Sequence, residues 1–268
     1  MTWKNKTRPN PLAGVITSGD GPARRAAELA ARLDVPLLAH PPADSLVVRV
    51  GANHLELVHC QPHGDLAVRV EFVLGAAGYR RQKGGREMLL RAVGARKGER
   101  PDVLDGTGGL GRDSFVLAQA GCRVQLFERH PVLALLLEDG LRRAADSPET
   151  KAAAERITLH GQDVLEYLKV PGPDLREKTP VIYLDPMYPG RDKAAKAKKE
   201  LQLLQLLLGD SQNREHEEAI LLEAALQAAG KRVVVKRPRR GPFLGRQKPS
   251  YCLEGRSTRF DIYLTRGR

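Results

Sequence analysis

Two short acidic stretches carry most of the chemistry open to this chain. The first is Asp105-Gly106-Thr107-Gly108-Gly109-Leu110-Gly111-Arg112-Asp113, directly after the apolar Val103-Leu104. Glycines at Gly106, Gly108 and Gly111 let the backbone turn tightly and approach a ligand closely, as an adenine-nucleotide cofactor requires at the first crossover of a doubly wound sheet. Glu128 ends the next apolar run, Val124 to Phe127, where a carboxylate accepts hydrogen bonds from both ribose hydroxyls of an adenosine. The glycines formally satisfy G-x-G-x-x-G, so a nicotinamide dinucleotide, and with it an NAD(P)-dependent oxidoreductase, competes with S-adenosylmethionine (SAM). Asp105 favours SAM. A carboxylate ahead of the glycines repels a pyrophosphate, whereas SAM has no phosphate and carries an ammonium and a sulfonium. A tight turn with a helix cap at Asp113 is the purely structural alternative.

The second stretch is Leu184-Asp185-Pro186-Met187-Tyr188-Pro189, after the apolar Val181 to Leu184 and so at the carboxyl edge of the expected sheet. It suits a planar base with an exocyclic amine: Asp185 accepts from the N–H donors, the carbonyl of Pro186 accepts another, and Tyr188 stacks on the ring. Methyl transfer to an amine demands placement more than strong base catalysis. Asp185 is therefore read as an orienting acceptor, with Pro186 and Tyr188 completing the catalytic set. A proline-fixed turn is the bland alternative, outweighed by the position after the fourth strand. Gly161-Gln162-Asp163 follows the third strand: Asp163 can meet an adenine amine and Gln162 can add contacts, while a cap for the helix Val164 to Leu168 is an equally good role for Asp163.

These residues need a scaffold, and from Pro101 onward the pattern alternates strand and helix. Strands are expected at Val103-Leu104, Val124 to Phe127, Ile157 to Leu159, Val181 to Leu184 and Arg232 to Val235. Helices are expected at Ser114 to Ala120, Pro131 to Ala145 and Leu221 to Ala229. The alternation predicts an α/β fold with a doubly wound, mostly parallel sheet, closed by an antiparallel hairpin of Tyr251 to Leu253 and Phe260 to Thr265. Residues 11 to 75 read as a smaller α/β unit, with a helix from Pro22 to Leu33 and strands at Leu46 to Val50, Leu55 to Val58 and Leu66 to Leu74. The composition shifts between Gly75 and Arg100, which predicts a small N-terminal domain over residues 1–78 and a larger one over 79–268.

The 268 residues carry 44 Lys plus Arg against 32 Asp plus Glu, a formal net charge of +12. Polyanions are the partners this invites, nucleic acid ahead of an anionic membrane, although such a balance also serves solubility. With 41% hydrophobic and 28% charged residues, wholesale disorder is excluded. Cys60, Cys122 and Cys252 lack the paired spacing of a zinc site or a redox dithiol, so no metal is expected. The first thirty residues contain no continuous apolar core of a secretory signal, and no run approaches the roughly 20 apolar residues of a membrane span. A cytoplasmic location without a membrane partner is the expectation.

Taken together, Asp105 to Asp113, Glu128-Arg129, Tyr183 to Pro189, Val234-Val235-Lys236-Arg237-Pro238, Arg259-Phe260-Asp261-Ile262-Tyr263 and the Ser18-Gly19-Asp20 region resemble the RsmJ (YhiQ) family. These are bacterial 16S ribosomal RNA (guanine(1516)-N2)-methyltransferases. The resemblance spans nearly the whole chain. It implies a seven-stranded class I (Rossmann-like) methyltransferase sheet, SAM as cofactor, and an exocyclic guanine amine of 16S rRNA as the acceptor. Its cofactor contacts carry over to Arg112 and Asp113, Glu128 and Arg129, Gln162 and Asp163, and Asp185. Gly106 and Gly109 stand where alanines are expected, which loosens the turn without abolishing it, and Gln162-Asp163 replaces a small hydroxyl pair.

The basic excess gathers in three places. Arg191 to Lys199 puts Arg191, Lys193 and further lysines at a helix start, where cations oppose the macrodipole. Lys236 to Arg259 includes Lys236, Arg237, Arg239 and Arg240 against the single acid Glu254. Both are expected to grip phosphates around the target guanine, with Tyr79, Arg80 and Arg86 completing the channel; solubilising charge is the competing role. The 16S rRNA or the small ribosomal subunit is the expected partner, and no obligate protein partner is evident.

Overall fold

The computed structural model describes residues 11–19, 21–73, 83–169, 179–186, 195–209 and 213–265. The chain divides into two compact units, each assembled from separated stretches. The first takes Met1–Glu71, His130–Arg143 and Arg191–Asp210; the second takes Phe72–Arg129, Ala144–Gly190 and Ser211–Arg268. A linear cut between 78 and 79 passes near the first of these divisions and leaves out the two later stretches that join the first unit.

In the first unit, strand β1 (Leu12–Thr17) runs parallel to β2 (Ser45–Val50), and β3 (Leu55–Cys60) and β4 (Leu66–Val68) follow antiparallel. Helix α1 (Ala23–Leu33) buries Ala26, Leu29, Ala30 and Leu33, a single stripe at helical spacing, and ends at Asp34 in the left-handed region. The last strand stops far short of the expected Leu74. Val70 and Phe72 stay buried, but the Val70 carbonyl accepts from the Arg143 guanidinium instead of a ladder partner.

Asp139 explains why 130–143 belongs here. Its buried carboxylate accepts from Arg25 (2.6 Å), Arg142 (3.2 Å), Arg143 (3.0 Å) and the Leu55 N–H (3.1 Å). Burial alone would raise its pKa, yet the Arg25, Arg143 and Leu55 donors outweigh that and hold it below the ordinary value. A carboxyl depressed on folding contributes stability that is fully present above its unfolded value, near 3.8, and is lost as pH falls through the folded value. The thermal midpoint is therefore expected to drop below about pH 4, by roughly 2–4 °C for each kcal/mol lost. In Asp139→Asn, calorimetry across this range should show a lower midpoint at neutral pH and a weaker acid dependence.

The second unit is built on a seven-stranded sheet in the order β10-β11-β9-β8-β5-β6-β7. Strands β5 (Val103–Asp105), β6 (Val124–Phe127), β7 (Ile157–His160), β8 (Val181–Leu184) and β9 (Arg232–Pro238) are mutually parallel, and β10 (Tyr251–Glu254) and β11 (Thr258–Leu264) form the antiparallel hairpin. The doubly wound fold with its terminal hairpin is as expected. Helices α2 (Lys83–Val93) and α3 (Arg112–Gln119) accompany β5, and α4 (Pro131–Ala145) and α5 (Lys151–Ala154) lie between β6 and β7 in the chain. Further along come α6 (Val164–Leu168), α7 (Ala195–Leu208), which like most of α4 belongs to the first unit, and α8 (Arg214–Ala228), nearly two turns longer at its start than the Leu221 expected. Leu104, Ile182, Leu184, Val233 and Val235 meet Leu222, Ala225 and Ala229 from the α8 region and Val164 and Leu168 of α6 in one core. Among the described residues no helix is long and apolar enough to cross a membrane.

Strand order reverses at β5, between β8 and β6, and such a switch point opens a crevice at the carboxyl ends. The register lines up what lies there. Asp105 pairs with Tyr183 and Leu184 with Val235, so Gly106, Asp185 and Lys236 come directly after the last residues paired across β5, β8 and β9.

Candidate active site

Asp105 ends β5 almost wholly buried, and both of its oxygens are occupied by the loop it starts. Oδ1 accepts from the Thr107 N–H (3.0 Å) and hydroxyl (3.3 Å), and Oδ2 accepts from the Ser114 hydroxyl (2.6 Å). Burial, reinforced by the negative Asp113 and Asp185, lifts the carboxyl to about 6 against the pull of the Ser114 and Thr107 donors. The Gly106 N–H reaches the Tyr183 carbonyl (3.0 Å) and the Gly108 N–H the Phe127 carbonyl (2.8 Å), pinning the loop across β8 and β6. Gly109 and Gly111 take positive φ angles of 54° and 70°, so the Gly109 departure from alanine suits the turn.

Gly106 and Gly108 face different neighbours. A Cβ on Gly108 would lie 2.9 Å from the Phe127 carbonyl oxygen and 3.2 Å from the Glu128 Cβ, both fixed by β6. On Gly106 it would meet the Leu184 Cδ2 at 2.9 Å and the Val164 Cγ1 at 3.3 Å, side-chain ends rather than backbone. Gly108→Ala is therefore expected to weaken SAM binding on the order of tenfold or more, through displacement of the loop, and Gly106→Ala to cost less. Isothermal titration of the two variants separates them; equal losses would mean that the close approach to β6 does not matter.

Glu128, buried at the end of β6, donates its N–H to the His160 carbonyl (3.0 Å) and accepts the Gly109 N–H on Oε2 (2.7 Å), tying the acid to the glycine loop. Arg129 beside it is exposed, 3.8 Å from Asp163 and 3.4 Å from Glu217. Asp163 caps α6, accepting the Leu165 N–H at 2.9 Å, and Gln162 donates its N–H to the His160 carbonyl at 3.0 Å. The capping role of Asp163 is thus real, with its second oxygen turned toward Arg129. Sequence reasoning missed the aromatic block behind these loops: the Phe127 and His160 rings stack at 4.4 Å, and Tyr167 lies 4.9 Å from Phe127. Burial keeps the His160 imidazole below its ordinary pKa, and its Nε2 has no hydrogen-bond partner among the described residues.

The acid after β8 stands in a network that joins three strand ends. The Asp185 N–H donates to the Thr107 hydroxyl (2.6 Å), and Oδ2 of Asp185 accepts from Lys236 Nζ (2.8 Å). The same ammonium donates to Asp113 Oδ2 (2.7 Å), which also accepts the Tyr183 hydroxyl (2.5 Å). Burial opposes the charge on Lys236, but Asp113 and Asp185 overcome it and raise its pKa, so this side chain remains an ammonium. Burial, with Asp113 adding to it, holds the Asp185 carboxyl above its ordinary value, and Lys236 pulls it only part of the way back.

Lys236 and Arg237 therefore need correction as phosphate grips. Lys236 points into the acidic corner between two carboxylates. Arg237 is 3% exposed, donating to the Pro242 carbonyl at 3.1 Å and lying 3.5 Å from Glu218, so its guanidinium is spent inside the protein. Arg259, the end of the same basic segment, is buried against Asp261 as well. Arg239 and Arg240 are exposed, Arg239 beside Glu254 at 3.4 Å; Arg112 is exposed at the start of α3 and Arg86 half-buried in α2. Pro186 is half-buried next to Asp185. Tyr79, Arg80, Tyr188, Arg191 and Lys193 lie outside the described residues.

A sequence model of the SAM-dependent methyltransferase family matches residues 28–265. The ribosomal RNA small subunit methyltransferase J of Nitrosococcus oceani is 45% identical over 260 residues, 94% of this chain and 98% of that protein. The protein of the same name from Dechloromonas aromatica is 46% identical over 91% of this chain and 97% of its own length. The chain belongs to the ribosomal RNA small subunit methyltransferase J family. A crystal structure of a SAM-dependent methyltransferase from Neisseria gonorrhoeae, 37% identical, superimposes with a TM-score of 0.73 over 95% of this chain and 96% of that one.

Membership in this family makes SAM the cofactor and sets the NAD(P)-dependent alternative aside. The residues fit that donor. Asp105, Glu128 and Asp185 follow one another along the strand ends, with Asp113 beside them and Lys236 as the ammonium between Asp113 and Asp185, an excess of negative charge suited to a cation and hostile to a pyrophosphate. The Gly106–Gly108 turn lies so close to Leu184 and Phe127 that a Cβ at either glycine would push the loop away from the strand ends.

Proposed function

We propose that this chain transfers a methyl group from SAM to the exocyclic N2 of a guanine in 16S ribosomal RNA, at the 1516-type position. The observation that carries the reading is Asp185: a carboxylate at the switch point, fixed through its N–H by the glycine loop and through Oδ2 by Lys236. Full-length relatives named for small-subunit rRNA methylation support the choice of RNA.

In this reading Glu128 receives the ribose hydroxyls, Gln162 and Asp163 border the adenine, and the Gly106, Gly108 and Gly111 turn with Arg112, Asp113 and Arg129 encloses the rest of the donor. SAM supplies a methyl group already activated by its sulfonium. Asp185 accepts an N–H of the guanine amine and orients its lone pair, the Pro186 carbonyl accepts the other N–H, and Tyr188 stacks on the base. The surplus proton leaves the nitrogen for solvent. Arg86, Arg239 and Arg240, with Tyr79, Arg80, Arg191 and Lys193, contact phosphates; Lys236 and Arg237 do not. A cytoplasmic protein acting on the small subunit or its RNA follows from this substrate.

Small subunits from cells lacking this methyl group, and their assembly intermediates, are to be incubated with labelled SAM and the purified protein. Label should enter 16S rRNA in at least one of these states. Absence of label from naked RNA, intermediates and finished subunits alike would remove the proposed substrate.

A further inference from the structure

We propose that Lys236 is a positioning residue for methyl transfer: seated between Asp113 and Asp185, its ammonium keeps the Asp185 carboxylate charged and turned with Oδ1 toward the substrate amine. The proposal rests on the guanine-N2 reading for its substrate, while the geometry behind it stands apart from the nature of the RNA.

Lys236 follows three fully buried valines at the carboxyl end of β9, and the register sets it beside Asp185. Its Nζ lies 2.7 Å from Asp113 and 2.8 Å from Asp185, with the side chain 29% exposed. Oδ2 of Asp185 is thus committed, and no described residue donates to Oδ1. The peptide N–H of Asp185 is held separately by Thr107, so backbone and carboxylate are fixed from two different strands. Asp113 is itself braced by the Tyr183 hydroxyl. The groups that face the Asp185 carboxylate are Asp113 from α3, Asp105 from β5, Tyr183 from β8, and Lys236 and Arg237 from β9. Without Lys236, a half-buried carboxylate would stand beside Asp113 with only the more distant Arg237 in compensation. Like charges in such surroundings favour protonation, and a protonated Asp185 is a poorer acceptor for an amine N–H. An ammonium between two carboxylates also has no proton affinity to spare as a base, so its contribution lies in charge and placement.

The test compares wild-type protein, Lys236→Met, Lys236→Gln and Lys236→Arg over the pH range in which the RNA substrate is intact. In the Met and Gln variants the acid limb of kcat/KM is expected to move up by about one pH unit or more, whereas Arg restores the wild-type limb. The KM for RNA on the high-pH plateau should change little. The 13C shift of the Asp185 carboxyl, followed in the same proteins, needs no turnover and should show the same upward movement. Two results would overturn the proposal: a loss equal at every pH with an unmoved carboxyl midpoint, as a merely structural lysine gives, or a salt-dependent rise in KM for RNA with the acid limb in place, as a phosphate contact gives. If wild-type protein leaves guanine unmethylated but the carboxyl midpoint still moves, Lys236 keeps its role and the substrate reading fails.

Discussion

Replacing Asp185 by alanine is expected to lower kcat for methyl transfer by about 10²–10⁴-fold and to change the dissociation constant for SAM by less than about tenfold. The split follows from the position of the carboxylate. The glycine loop and Glu128 are joined by their own hydrogen bonds, Gly109 to Glu128 and Gly108 to Phe127, none of which passes through the Asp185 side chain. The Asp185 N–H survives the substitution and continues to hold Thr107. What disappears is the acceptor proposed to orient the amine, and placement is the main demand of an in-line displacement on an activated methyl. Asp185→Asn keeps an acceptor oxygen and should lose less than alanine does. Single-turnover kinetics with titration calorimetry on the same preparations check this; unchanged turnover in the alanine variant would take Asp185 out of the reaction.

Asp261→Ala is expected to destabilise the protein by about 3–5 kcal/mol, because it leaves a buried guanidinium without its counter-charge. Asp261 is fully buried and holds Arg259 through both oxygens, at 2.6 and 3.0 Å. Arg259 also donates to the Arg239 and Gly241 carbonyls and lies over the Phe243 ring at 4.7 Å. The Cys252 thiol donates to Asp261 at 3.2 Å, and burial together with this acid pushes it up to about 11, so it stays a thiol at neutral pH. The pair also matters for the site. Asp261 faces Val235 and Phe260 faces Lys236 across the β11–β9 ladder, so the strand that presents Lys236 is braced by this edge. Replacing both partners, as Arg259→Met with Asp261→Leu, should cost clearly less than Asp261→Ala alone. Denaturant unfolding of the single and double variants measures the difference; a single variant as stable as wild type would show that the pair contributes nothing.

The alternation of apolar runs exposed the doubly wound sheet because a parallel strand buried on both faces reads as a short apolar block ended by a polar residue. Asp105, Glu128 and Asp185 were visible for that reason: each is the first acid at or after such a block, where strand ends face the crevice. Lys236 obeys the same rule after Val233 to Val235, and a doubly wound order sets its strand beside the one that ends just before Asp185. Counting it with the neighbouring arginines as one basic run hid that signal. Arg237 and Arg259 were misplaced by the same habit, since charge counted along the chain ignores the alternation of a strand, which turned Arg237 inward to Pro242 and Arg259 inward to Asp261. The assignment of 130–143 to the first unit depends on Asp139 meeting Arg25 and Leu55, contacts between residues far apart that no local pattern announces.

The identity of the methylated nucleoside decides whether the acceptor is an exocyclic guanine amine. Small-subunit RNA methylated by the purified protein is digested to nucleosides and analysed by mass spectrometry against standards, after fragment mapping of the modified position. The expected product is N2-methylguanosine at a single position of 16S rRNA, formed by wild-type protein and nearly absent with Asp185→Ala. A methyl group on a ring nitrogen, on a ribose or on another base would contradict it, because the acceptor placed at Asp185 is suited to an exocyclic amine.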